Sequence, residues 1–109
     1  MAQFVYDGQS IDYTPGADVA AGAVVVQGEL VGVARRPIAA NTAGALAVTG
    51  VFDFPKATGG GTAITAGANV YWNAALQQAT TTASGNKLIG KTVRAAADAD
   101  ATVRVRLSQ

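Results

Sequence analysis

The chain writes one short strand pattern twice. Leu30-Val31-Gly32 returns as Leu88-Ile89-Gly90. Upstream, Val19-Ala20-Ala21-Gly22-Ala23-Val24-Val25-Val26 is mirrored by Ile64-Thr65-Ala66-Gly67-Ala68-Asn69-Val70-Tyr71. Downstream, Ala45 to Val51 is mirrored by Ala101-Thr102-Val103-Arg104-Val105-Arg106-Leu107. Each unit reads as an Ala-Gly strand, a loop, an L-[VI]-G strand, a crossover and an alternating strand. Two copies make a pseudo-symmetric domain, not a solenoid. The second copy carries an insertion around Asn73 to Asn86. The expected organisation is an N-terminal hairpin or arm over residues 1–18, then a duplicated β region over 19–109. Copy one spans about 19–56 and copy two about 64–109, within one domain overall.

Local signals agree with strands. Phe4-Val5-Tyr6 and Ser10-Ile11-Asp12-Tyr13 flank Asp7-Gly8, a hairpin signal. Ala45 to Phe54 alternates well enough to be read as one strand, ended by Pro55-Lys56. Ala57 to Thr62 holds three consecutive Gly and reads as a flexible loop. In the last strand Val103, Val105 and Leu107 share one face, and Arg104 and Arg106 the other. The Ala-rich stretches Ile38–Ala43 and Arg94–Ala101 occupy matching places and allow a single helical turn each. The fold class expected is therefore mainly β, with at most one or two short helical turns.

Composition narrows the function. The 109 residues include 24 Ala, 13 Val, 13 Gly and 11 Thr, with few large apolar side chains. Such a core is thin, and assembly is one way to supply the missing burial. Cys and His are absent, which removes thiolate nucleophiles, disulfides, imidazole bases and the usual zinc sets. No catalytic residue, cofactor or metal site is expected, and the chain is not read as an enzyme. A net charge of +1 offers no footprint for nucleic acid. No apolar run approaches the roughly 20 residues of a membrane helix, so no membrane partner is expected. The start Met-Ala-Gln-Phe-Val-Tyr-Asp lacks the basic and apolar regions of a signal peptide.

One string argues otherwise. Gly85 to Thr92 reads G-N-K-L-I-G-K-T and satisfies the phosphate-loop pattern. A phosphate loop needs a buried strand before the first Gly and a helix opening at the Lys. Here polar Thr80-Thr81-Thr82-Ala83-Ser84 precedes it, and Leu88-Ile89 within it calls for burial. The repeat accounts for Leu88-Ile89-Gly90 without nucleotide.

The candidate contact residues are few. Tyr71-Trp72 reads equally as a cap on the core and as an interface hot spot. Phe4 and Tyr6 are tied into a sheet or docked on a partner. Arg35-Arg36 contacts an acidic partner or ends a strand in solvent. Asp98 and Asp100 read as solvated turn residues. Asp7, Asp12 and Asp18 lack calcium-loop spacing.

A resemblance runs over nearly the whole chain. Its carriers are Gly8 with Asp12-Tyr13-Thr14, Ala21-Gly22 before Val24-Val25-Val26, Gly32-Val33-Ala34, Gly50-Val51-Phe52 and Pro55-Lys56. They continue with Ala66-Gly67, Val70-Tyr71-Trp72, Lys87-Leu88-Ile89-Gly90 and the Val103 to Leu107 ending. In order and spacing these resemble the capsid cement, or decoration, proteins of tailed phages and prophages. That family was formerly labelled as predicted recombinases of the RecA/RadA type. The resemblance implies a small single-domain fold of β-barrel or β-tulip type. It implies a structural protein of the virion, made in the host cytoplasm, that sits on the outer surface of the expanded head and stabilises it. Its implied partners are the major capsid protein and two further copies in a homotrimer. Met1 to Ile11 and exposed loops would contact the capsid. Strand edges and the aromatics near Tyr71 would contact sister subunits. The competing reading is a nucleotide-dependent recombination factor built on residues 85–92.

Overall fold

The computed structural model describes residues 2–4 and 8–109. Nine strands form among them: β1 (Ser10–Tyr13), β2 (Val24–Gln27), β3 (Leu30–Val33), β4 (Gly44–Ala47), β5 (Gly50–Pro55), β6 (Asn69–Asn73), β7 (Gln78–Thr80), β8 (Lys87–Thr92) and β9 (Thr102–Leu107). No helix occurs among the described residues. The two Ala-rich stretches become matching turns, with Thr42 N–H donating to Ala39 O and Asp100 N–H to Ala97 O. The mainly-β expectation holds. By contacts the chain divides into two compact units, residues 1–25 with 32–49 and residues 26–31 with 50–109.

The strands form two sheets, ordered β1-β4-β3-β2 and β5-β9-β8-β6-β7. The first four places of the second sheet repeat the first sheet. β1 pairs antiparallel with β4 as β5 does with β9. The duplication extends to single hydrogen bonds. Val19 and Ile38 exchange two backbone bonds at 2.8 Å, and Ile64 and Ala96 do the same at 2.9 and 2.8 Å. Gly22 N–H donates to Ala34 O as Gly67 N–H does to Thr92 O. Ala34 N–H donates to Ala23 O as Thr92 N–H does to Ala68 O. Gly22 and Gly67 both have positive φ, 85° and 77°, where an L side chain is strained. That is the physical content of the repeated Ala-Gly.

The strand partners place the copies differently from the sequence reading. Copy one begins at β1, inside the segment read as an N-terminal arm, because β1 pairs with β4. Ile11-Asp12-Tyr13 then corresponds to Phe52-Asp53-Phe54, since Asp12 opposes Ala45 and Asp53 opposes Arg104. Ala45 to Phe54 is also two strands. β4 closes the first sheet, the chain breaks at Val48-Thr49, and β5 opens the second. Alternation cannot reveal such a break, because both halves keep the same period. The closing strands match in a shifted register: Val33 faces Ala47 as Lys91 faces Arg106, so Ala47 corresponds to Arg106. The Asp7-Gly8 hairpin lies partly outside the described residues, and its second strand is β1.

The repeated L-[VI]-G has a steric cause. A Cβ on Gly90 would stand 1.9 Å from the backbone oxygen of Arg106, and one on Gly32 would stand 2.9 Å from Leu46 Cβ. The neighbouring strand leaves no room for a side chain.

Each unit has its own packing. In the first, Ala34, Ile38 and Leu46 are buried together, with Ile11, Tyr13, Val19 and Val25 packed against them. In the second, Phe54, Val70, Trp72, Ile89, Val103, Val105 and Leu107 are buried. The Phe54 ring lies 6.0 Å from Trp72 and 6.3 Å from Phe52. β9 shows the expected alternation: Val103, Val105 and Leu107 point inward. β7 was not expected. It folds out of the insertion, pairs with β6 through Trp72 opposite Ala79, and meets β5's end at a parallel bridge between Lys56 and Ala79. That bridge brings the two edges of the second sheet together at one point without a full ladder, so the closure expected of a barrel is partial.

Candidate interaction surfaces

Exposed groups on this chain sit on strand faces and turns. Phe4 is 83 % exposed and stands free of both cores. Tyr6 lies outside the described residues. Arg35 and Arg36 are exposed at the turn after β3. They line a groove of about 430 Å³ with Ser10, Ile38, Ala45 and Ala47. Ile38 and Ala47 form its buried apolar floor. Tyr71 is half-buried on β6. Trp72 is buried against Phe54, so of its two readings it takes the core one. Among the described residues its Nε1 has no hydrogen-bond partner. The structure thus sets Arg35 and Arg36 side by side on the first unit and leaves Phe4 exposed.

The second unit has a charged outer face. Val51, Arg106, Lys91 and Asn69 lie in one row across β5, β9, β8 and β6. Beside it, Arg104 donates from Nε to Asp53 Oδ1 at 3.0 Å and from Nη2 to Oδ2 at 3.2 Å. The hydrogen bond from Arg104 holds the Asp53 carboxyl below the usual carboxylate range, and Asp53 in turn raises Arg104. Lys87 Nζ meets Glu29 Oε1 at 2.6 Å. In copy one the places of Arg104 and Arg106 belong to Ala45 and Ala47, which is why a groove exists there.

Sequence reasoning missed one polar group. Lys56 is only 5 % exposed. Its Nζ donates to the carbonyls of Ala57 (2.7 Å), Asp100 (2.9 Å) and Ala97 (3.1 Å). Three donors thus meet three backbone acceptors. The sequence reading uses Lys56 only to end the strand with Pro55, and its place directly after β5 is the usable signal. At the same turn Asp98 and Asp100 are exposed turn residues, as the sequence reading has them, and they also accept backbone hydrogen bonds. Asp98 Oδ1 accepts from the N–H of Thr62 (3.1 Å) and Ala63 (2.8 Å), and Asp100 Oδ2 accepts from Ala97 N–H (2.8 Å). These exposed carboxylates cap turns, and Asp98 holds the end of the Gly59–Gly61 loop at Thr62 and Ala63.

The phosphate-loop string is strand. β8 covers Lys87–Thr92. Gly90 and Lys91 are paired on both sides, with β6 and β9. Thr92 is buried, donating from Oγ1 to Thr65 O at 2.6 Å and accepting from Ala68 N–H at 3.1 Å. From Lys87 onward the string is ladder strand, the Asn86 N–H donates to Ala83 O, and no helix opens at Lys91. Among the described residues no group of three or more acidic side chains could hold a metal ion.

Comparison with known proteins agrees with an assembly role. No curated protein and no solved structure matches the chain. A family model does, over residues 5–107, from β1 through the end of β9, and it describes a phage cement protein. With nearly the whole duplicated fold inside that match, the chain belongs to the phage cement protein family.

Proposed function

We propose that this chain decorates the outside of the expanded phage head and braces neighbouring copies of the major capsid protein. The family carries the coarser statement, a structural role as a capsid cement protein. The finer reading rests on the match across residues 5–107 together with surfaces suited to protein contact. Those surfaces are exposed Phe4 and the Arg35–Arg36 groove. The protein is synthesised in the host cytoplasm, assembles as a homotrimer and ends on the virion surface. Many modest contacts, repeated around a shell, then add up through multivalency. Phe4 and the N-terminal residues contact the capsid, and strand edges contact sister copies.

Co-sedimentation with expanded and unexpanded shells tests this. The expected result is saturable binding to expanded shells and a higher shell melting temperature. Absence of binding, with shell stability unchanged, sinks the proposal.

A further inference from the structure

The chain has a net charge of only +1, yet its charges are unevenly spread. The outer face of the second sheet carries Lys91, Arg104 and Arg106, and Arg94 lies near enough to help lower Asp53. Four of the eight cations thus gather around Asp53, one of seven carboxylates. β5 sets Asp53 opposite Arg104, and the two form an ion pair. Two residues earlier it sets Val51 opposite Arg106, and Lys91 stands on the other side of Arg106. Like charges directly opposite one another weaken a sheet. Among the described residues neither Lys91 nor Arg106 pairs with a carboxylate.

The surroundings suit a protein segment. Val51, Val93 and Leu88 are exposed on the same strands. Gly90 has no side chain, and a hollow of about 90 Å³ opens there between Asn69, Leu88, Lys91, Arg106 and Ser108. Opposed Cβ atoms in a sheet stand about 5 Å apart, so one carboxylate can meet both cations. The planar fork of Arg suits two carboxylate oxygens, and the Lys ammonium adds a point charge. Apolar neighbours of that carboxylate would cover Leu88 and Val51. A nucleic-acid backbone would meet the cations and leave Val51, Val93 and Leu88 bare. A second copy of this chain is a poor source of the acid. Glu29 pairs with Lys87 and Asp53 with Arg104. Asp18, Asp98 and Asp100 accept backbone N–H groups. Among the described residues Asp12 is the one side-chain carboxylate without a partner, and it stands alone.

We propose that the face around Lys91 and Arg106 docks a segment of another protein that carries a carboxylate flanked by apolar side chains, with the carboxylate set between the two cations. The inference rests on the cement reading for one point, that this protein is the capsid subunit.

A double variant, Lys91→Gln with Arg106→Gln, is compared with the unmutated protein. Lys87→Gln, which removes a cation paired with Glu29, controls for lost charge. The double variant should melt at or above the unmutated protein, because a like-charge contact is gone. Two probes are used: a peptide alternating Glu and Val, followed by amide chemical shifts, and expanded shells, followed by co-sedimentation. The expected result is peptide-induced shifts centred on Lys91 and Arg106, kept in Lys87→Gln and absent from the double variant. Shell binding should weaken at least about tenfold in the double variant alone. No peptide shifts, or shifts that avoid β8 and β9, overturn the proposal. So does a double variant that binds shells as the unmutated protein does. Stronger binding of a short DNA duplex than of the peptide at these positions gives the face to nucleic acid and overturns it. A concentration-dependent rise in mass that the double variant abolishes gives the face to a second copy and overturns it too. If the unmutated protein fails to bind shells, the cement reading falls alone, and the peptide shifts still decide this one.

Discussion

Gly90 and Lys56 show how single residues constrain this fold in opposite ways. Gly90 matters for what it lacks. Its place beside Arg106 O admits no Cβ, and the atom in the way is backbone, which cannot swing aside. Gly90→Ala is expected to cost at least the upper end of the roughly 1–3 kcal/mol typical of overpacking. Gly60→Ala, in open space, should melt within a degree or two of the unmutated protein, as surface changes of under about 0.5 kcal/mol do. Equal melting of the two variants contradicts the crowding argument. Lys56 matters for what it supplies. Lys56→Met keeps the stem and removes the donors, leaving the carbonyls of Ala57, Ala97 and Asp100 without that partner. An unsatisfied buried acceptor costs about 1–3 kcal/mol. Denaturant unfolding should show a loss in that range, with faster amide exchange in residues 57–62; unchanged exchange there refutes the staple. Asp53 gives the pH dependence. Its folded-state pKa is depressed by Arg104, so its contribution is present above the ordinary carboxylate pKa and fades as pH falls through the folded value. The pair is well exposed, so the effect is small and screened by salt. Asp53→Asn should therefore remove a small contribution at neutral pH, flatten the acid limb of a stability–pH curve slightly and leave stability at the lowest pH unchanged; an acid limb as steep as the unmutated protein's contradicts this.

At the level of elements, the informative strand is β7. It occurs in copy two only, covers the edge of β6 and places Ala79 opposite Trp72. Replacing residues 74–86 by a two-residue turn like Gly28-Glu29 should leave a folded second sheet with a bare β6 edge. The expected loss is roughly 4–8 °C in melting temperature per kcal/mol for a domain near this size. New concentration-dependent self-association should accompany it, because the variant exposes an unpaired edge. A variant that melts earlier yet stays at its original mass at high concentration argues against edge protection as the role of β7. β7 was illegible in the sequence because Gln78-Ala79-Thr80 is short and polar at both ends; its partner, not its composition, makes it a strand. β9 was legible because strict alternation between buried Val and outward Arg leaves one workable register. The Lys56 cage was illegible because two of its three carbonyl acceptors, Ala97 and Asp100, come from a turn some forty positions away in sequence.

For the whole molecule, residues 85–92 do not form a phosphate loop, since Lys87–Thr92 is strand β8 between β6 and β9 and the Asn86 N–H donates to Ala83 O. ATP with magnesium should therefore leave the melting temperature unmoved. An ATP-dependent shift abolished by Lys91→Ala would revive the recombination reading. The candidate surfaces were legible only in part. Arg35 and Arg36 were named from sequence, but the groove beneath them exists because Ala45 and Ala47 stand where copy two has Arg104 and Arg106. By itself, the sequence determined the β class and the repetition of its core strands, because glycine placement and side-chain alternation are local constraints that each copy must satisfy alone. Only the tertiary structure decided where each copy begins, that Ala45 to Phe54 divides between two sheets, and that β7 covers the edge of β6 in copy two. Strand partnership is a long-range property, fixed by which backbones meet and not by the composition of either.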